Sequence, residues 1–222
     1  MKIAIDGPAG AGKSSIAKLV AKKLSFVYVD TGAMFRTVAY YFLSQGKDPS
    51  DAEMVTEECE KISISIEYKD GAQHIFLDGT DVSTEIRQEE VGKNASVVAK
   101  NQAVRNRLLA LQRQMAEKQD VIMDGRDIGT VVLPDAEAKI YLDAGVEERA
   151  RRRVGELQEK GETADFEEIK KMILERDYND MHRAHSPLKR AADAVSLDST
   201  GMGIDAVLHA ILDIVAERVK EK

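Results

Sequence analysis

The chain has 222 residues, 32 of them basic and 39 acidic, for a formal charge of −7. That length is enough for one sizeable core, or one core plus a small insert, and the acidic balance argues against non-specific nucleic-acid binding, which needs a basic face. The one cysteine, Cys59, excludes an internal disulfide, and its neighbours Glu58 and Glu60 disfavour a reactive thiolate.

The first apolar run, Ile3 to Ile5, reads as a buried strand. It breaks into Gly7-Pro8-Ala9-Gly10-Ala11-Gly12-Lys13-Ser14-Ser15, which fits G-x-x-x-x-G-K-[ST] at every fixed position. A helix follows, with Ile16, Leu19, Val20 and Leu24 on one stripe. In that context the glycines let consecutive N–H groups point inward at a polyphosphate, and the helix N-terminus adds positive potential. Lys13 is then expected to reach the β- and γ-phosphates of a nucleoside triphosphate, and the Ser14 hydroxyl to ligate Mg²⁺.

A second apolar run, Phe26 to Val29, ends in Asp30-Thr31-Gly32. Met34, Phe35, Val38, Ala39 and Phe42 then recur at helical spacing up to Gly46, with Thr31 expected as the N-cap. Thr31 and Arg36 are phosphate-gripping candidates, or else a cap followed by a surface arginine. Asp-Thr-Gly also matches an aspartic-protease motif, but nothing here has that antiparallel architecture. Near residue 60 the period becomes two: Ile62, Ile64 and Ile66 alternate with polar residues, Lys69–Ala72 turns, and His74–Leu77 returns. This predicts an antiparallel hairpin in a small insert over 60–95.

Helical spacing resumes at Val104, Leu108, Leu111 and Met115. A strand, Val121–Met123, then ends in Asp124-Gly125-Arg126-Asp127. Asp124 is a candidate for orienting metal-bound water, Arg126 for phosphate and Asp127 for a substrate hydrogen bond; the alternative is a turn of mutually neutralising charges. A strand at Lys139–Leu142 precedes a helix carrying Arg149, Arg151, Arg152 and Arg153, read either as a solvated face or as a lid with the polar segment 155–164, expected to be mobile. On the next helix, from about Asp165 to Arg183, the residues Arg176, Asp180 and Arg183 are spaced to share one face. A fifth strand, Ala194–Leu197, and an amphipathic helix from Ile204 to Val215 end the pattern. The four histidines lack metal-ligand spacing.

The expected architecture is α/β, a P-loop NTPase-type five-stranded parallel sheet covered by helices, with a small inserted antiparallel β subdomain and a lid. Residues 1–59 and 96–222 are expected to form the core, with the lid near 149–164 and the insert at 60–95. No apolar run approaches the ~20 residues of a membrane span, and no signal peptide precedes the first strand, so a cytoplasmic monomer without membrane or nucleic-acid partners is expected.

Taken together, Gly7–Ser15, Asp30–Arg36, Asp124–Thr130 and Glu175–Arg183 resemble the successive motifs of the bacterial cytidylate kinases, over nearly the whole chain. The resemblance implies ATP-dependent, Mg²⁺-assisted phosphorylation of CMP or dCMP. It implies that Thr31, Arg36, Arg126 and Arg183 hold the acceptor phosphate, that Ser96, Arg105 and Asp127 read the cytosine, and that Arg176 and Asp180 hold the sugar. Lys13, Arg126 and Arg183 would be catalytic. Thr31 stands where many members have serine, with the hydroxyl retained. Three other readings fit less well. A regulatory GTPase needs N-K-x-D, absent here; a nucleic-acid motor is opposed by length and charge. Another small-molecule P-loop kinase, acting on UMP or shikimate, is opposed less decisively.

Overall fold

A computed structural model describes residues 1–69, 72–159 and 161–220. In chain order, β1 (Lys2–Asp6) leads through the glycine loop to α1 (Lys13–Leu24), β2 (Val27–Asp30), α2 (Thr31–Ser44) and α3 (Ala52–Glu58). Next come β3 (Ile64–Lys69), β4 (Ala72–Leu77), β5 (Thr80–Asp81), α4 (Glu89–Val98) and α5 (Gln102–Lys118). The chain continues with β6 (Val121–Gly125), a π-helical turn at Ile128–Val132, β7 (Ala138–Asp143), α6 (Val146–Glu159), α7 (Phe166–His182), β8 (Val195–Asp198) and α8 (Ile204–Lys220). Two compact units divide it: Met1–Tyr28 with Gln119–Lys222, and Val29–Lys118. No helix among the described residues is long and apolar enough to cross a membrane.

The larger sheet has, among the described residues, the order β2-β6-β1-β7-β8, with β6, β1, β7 and β8 in the first unit. Strand β1 lies at its centre, parallel to β6 (Ile3 opposite Ile122) and to β7 (Ile5 opposite Ile140). Ile3, Ala4 and Ile5 are all buried, as a strand covered on both faces requires. Ile16, Ala17, Val20 and Ala21 of α1 pack into this core, as do Val207, Leu208, Ile211 and Val215 of α8. Both helices therefore bury the stripes their 3.6-residue spacing marks. Gly7 leaves β1 so close to β7 that a Cβ there would lie 1.9 Å from the Leu142 carbonyl oxygen, which only glycine avoids.

In the second unit, α2 buries Met34, Val38, Ala39 and Phe42. Strands β3, β4 and β5 form an antiparallel sheet with Ile66 opposite Ile75. The expected hairpin thus gains a third strand, two residues long.

Three local expectations are corrected. Asp30, not Thr31, caps α2: its carboxylate accepts from Ala33 N at 2.8 Å, and Thr31 is the first helical residue. Asp30 is extended at φ −77, as an N-cap is, and its own N–H donates to Gln73 Oε1 at 2.9 Å. Residues 155–159 of the expected loop continue α6, and Asp165 caps α7 by accepting from Glu168 N at 2.9 Å. Arg183 has left α7, at φ −65 and ψ 145. Asp70 and Gly71 of the expected turn, and Lys160 of the expected mobile segment, lie outside the described residues.

Candidate active site

The glycine loop runs from the end of β1 into α1, which begins at Lys13. Gly10 and Gly12 have φ of 75 and 85, left-handed values that let the backbone curl. Pro8, Ala9 and Ala11 are buried, whereas Gly10 and Ser15 are exposed. Lys13 is 6% exposed and its ammonium donates to Pro8 O at 2.7 Å, closing the loop on itself. Burial and then Arg126 push Lys13 well below the ordinary lysine range, while Asp124 and Asp6 favour its charge. An incoming polyphosphate would favour the charged form.

Carboxylates from neighbouring strand ends face this loop. Asp124 accepts from Ser14 Oγ and from Tyr28 OH, both at 2.8 Å. Asp6 accepts from Ile128 N at 2.8 Å and Gly129 N at 2.7 Å, so both oxygens cap the π-helical turn that follows Asp127. Burial pushes Asp6 up to about 6, against the lowering effect of those two N–H bonds; Asp127 raises it further and Lys13 opposes.

On α7, Asp180 is buried beside Arg126, whose Nε donates to it at 2.8 Å. The Arg183 guanidinium turns back to lie 3.7 Å from Asp180 and 3.5 Å from Asp127. Burial pushes Asp180 up, but Arg126, Arg176 and Arg183 together bring it below the usual carboxylate range. The structure thus brings together Lys13, Ser14, Asp124, Arg126, Asp127, Asp180 and Arg183, all from the first unit. Arg176 is exposed and acts on Lys13 and Asp180 through its charge.

Two site residues escaped sequence reasoning. Arg149 is not a solvated helix residue: it donates to Ala9 O at 2.7 Å and to Asp177 Oδ2 at 2.6 Å. Asp177 in turn accepts from Ala9 N at 2.9 Å. Arg152 reaches the carbonyl of Ser199 at 2.8 Å, whereas Arg151 and Arg153 pair with Glu148 and Glu156 at the surface, as a solvated face does.

In the second unit, Arg36 pairs with Asp30 at 2.9 Å, and Thr31 is buried at the start of α2. Ser96 is half-buried on α4. Arg105 is buried on α5, donates to Ala99 O at 3.2 Å and lies 5.5 Å from the centre of the Phe35 ring. That distance suits a cation–π contact.

For a divalent cation, the first unit offers the Ser14 hydroxyl held on the Asp124 carboxylate. Those are hard oxygen donors, the kind Mg²⁺ takes when phosphates and waters complete its shell. No group of three or more His, Cys, Asp or Glu that could hold a metal alone occurs among the described residues. The residues fit a cation that arrives with a polyphosphate.

A family model described as cytidylate kinase matches residues 3–217. The chain is 48% identical over 219 residues to a cytidylate kinase of Shouchella clausii, covering 99% of this chain and 97% of that protein. It is 49% identical over 216 residues to a cytidylate kinase of Bacillus cereus, covering 97% and 96%. Among solved structures, an uncharacterized protein from Eubacterium ventriosum superimposes with a TM-score of 0.56 at 12% identity, covering 97% of this chain and 98% of that one. A gluconokinase from Sinorhizobium meliloti gives 0.50 at 12% identity, covering 99% and 94%. At that identity the likeness is one of fold.

Proposed function

Since the chain belongs to the cytidylate kinase family, we propose that it transfers the γ-phosphoryl group of ATP to CMP or dCMP, giving the diphosphate and ADP. The observation that carries this reading is the loop itself: Gly7–Ser14 closed around the buried Lys13, with Ser14 held on Asp124 at the end of β6.

The loop N–H groups and Lys13 receive the triphosphate, with Lys13 exchanging the Pro8 carbonyl for phosphate oxygens. Ser14 and Asp124 are the residues that would hold Mg²⁺, which when bound neutralises charge on the β- and γ-oxygens. Thr31, Arg36, Arg126 and Arg183 grip the acceptor phosphate. Ser96, Arg105 and Asp127 read the base, and Arg176 and Asp180 the sugar. Arg36 and Arg126 each rest on a carboxylate, Asp30 and Asp180, which holds the guanidinium in place until phosphate competes for it.

The reaction needs no general base, because the acceptor phosphate brings its own anionic oxygens; positioning and charge neutralisation do the rest. ADP release measured in a coupled assay against CMP, dCMP, UMP, AMP and GMP tests the reading. CMP and dCMP should be turned over far better than the others. Turnover of none, or a preference for a purine, would overturn it.

A further inference from the structure

Arg149 and Asp177 lie on α6 and α7, outside the residues assigned a role in the transfer, yet each is only 6% exposed. Both turn onto a single residue of the phosphate loop. Ala9 N–H donates to Asp177 Oδ1 at 2.9 Å, and Ala9 C=O accepts from an Arg149 guanidinium nitrogen at 2.7 Å. The same nitrogen lies 2.6 Å from Asp177 Oδ2, and Arg149 Nε donates to Ala144 O at 2.8 Å. The three groups therefore close a ring in which every partner is buried. The loop is also seated tightly: a Cβ on Gly10 would lie 3.2 Å from Arg149 Cβ and 3.7 Å from Ile173 Cδ1.

A buried ion pair is not in itself a source of stability, since well-packed apolar residues of similar volume often serve the fold as well or better. What this pair does that apolar residues cannot is fix both polar groups of Ala9. Just beyond it lie Gly10 and Gly12, at left-handed φ of 75 and 85, and glycines, lacking a Cβ, have the most backbone freedom to lose on ordering. A loop that must be ordered when the ligand arrives loses that much affinity, and a loop already held does not.

We propose that Arg149 and Asp177 are positioning residues for the triphosphate: their joint grip on Ala9 holds the phosphate loop in its binding conformation before ATP arrives, and ties it to the two helices on either side of segment 161–165. The inference rests on the ATP-dependent reading above.

Two variants test it. Asp177→Asn keeps the size and one acceptor but removes the charge facing Arg149. The double variant Arg149→Met with Asp177→Leu removes both charges and leaves neither buried alone. With ATP and CMP varied in turn, both variants should raise KM for ATP about tenfold or more, and lower kcat/KM for ATP on the order of 10², as small misplacements of reacting groups do. KM for CMP should stay close to wild type. A purely structural defect lowers the active fraction, and so the apparent kcat, but moves neither KM. An unchanged KM for ATP in a folded variant overturns the inference, as does a parallel rise in both KM values. Should neither variant fold, amide exchange in the wild-type protein decides: an Ala9 N–H protected without nucleotide supports the grip, and exchange at the rate of an open loop overturns it. A wild-type protein that transfers nothing from ATP to CMP would sink the functional reading instead, with the Ala9 exchange still deciding whether the loop is held.

Discussion

The hydroxyl of Ser14 donates to Asp124 Oδ2 at 2.8 Å, joining the first turn of α1 to the end of β6. Tyr28 OH holds the other carboxylate oxygen at the same distance, so Asp124 cannot swing away from the loop. The parallel register of β1 and β6, with Ile5 opposite Asp124, sets this contact, and it places an oxygen pair beside the phosphate loop before any ligand binds.

Lys13 should be indispensable to turnover and less so to the fold. On the proposed reading its ammonium would neutralise charge moving onto the β–γ bridge, so Lys13→Met should lower kcat by roughly 10²–10³. Methionine retains much of the buried stem, while the Pro8 carbonyl loses its donor and Asp124 and Asp6 lose a nearby positive charge. A circular-dichroism melt checks the fold, and steady-state kinetics the rate. A variant keeping more than about a tenth of wild-type turnover would remove Lys13 from the reaction.

Asp6 should give the protein an unusual pH term. Its folded pKa, raised from 3.8 to about 6, means that the folded state keeps the proton longer than the unfolded chain does. The contribution is fully present below the unfolded value and is lost as pH rises through the interval to about 6, the reverse of a salt-bridged aspartate. Between pH 4.5 and 7, wild type should lose about 2 kcal/mol relative to Asp6→Asn in urea melts followed by circular dichroism. A wild-type-to-variant difference that does not change with pH would show that Asp6 is not held this way.

The parallel sheet and the phosphate loop were legible because their signals are local: short apolar runs, glycines at fixed offsets, and helical stripes such as Ile16, Val20 and Met34, Val38. Helix α4, which carries Ser96, was harder to see. Its buried residues Val91, Ala95 and Val98 have helical spacing, but Gly92, Lys93 and Asn94 dilute it, and the preceding hairpin drew the reading of the whole segment. Asp30 and Thr31 are both good caps by residue type, and it is the Asp30 carboxylate that accepts from Ala33 N. The roles of Asp177 and Arg149 had no local signature at all. Their partners in the loop lie 168 and 140 residues away, a separation that no periodicity reports.

Arg183 should behave as a phosphate-clamping arginine rather than a surface residue. Its side chain is 6% exposed, its Nε donates to Ser186 O at 2.7 Å, and its fork lies near Asp127 and Asp180. Arg183→Ala should cost on the order of 10³ in kcat, in the range of other arginines that stabilise a transferring phosphoryl group. Arg183→Lys should recover only part of it, because a point charge cannot make two parallel contacts. Asp180 keeps Arg126 in either variant, so the melting temperature should fall little compared with the rate. Kinetics within about twofold of wild type in Arg183→Lys would rule out the two-point grip.

Base choice is the most exposed part of the proposed function. Cytosine presents an amino donor at C4 and uracil a carbonyl acceptor. In the proposed reading the Asp127 carboxylate, buried just beyond β6, would accept from that amino group; with uracil, two acceptors would face each other. Each lost or opposed bond costs ~1–3 kcal/mol, more where a charge is left unpaired. CMP and dCMP should therefore exceed UMP in kcat/KM by at least roughly 10². Asp127→Asn separates this account from a loss of structure. The amide has nearly the same shape, and its NH₂ can turn to the uracil carbonyl, so UMP should improve in absolute terms while CMP declines. Alanine offers neither group, so Asp127→Ala should narrow the ratio by harming CMP and relieving the opposed carboxylate for UMP, without the new bond the amide supplies. Asp180, 3.7 Å from Arg183, is untouched by either substitution, so the phosphate contact proposed for Arg183 should survive both. A CMP-to-UMP ratio that stays at the wild-type value in both would show that Asp127 does not read the base, while phosphoryl transfer from ATP would stand on the loop and its arginines.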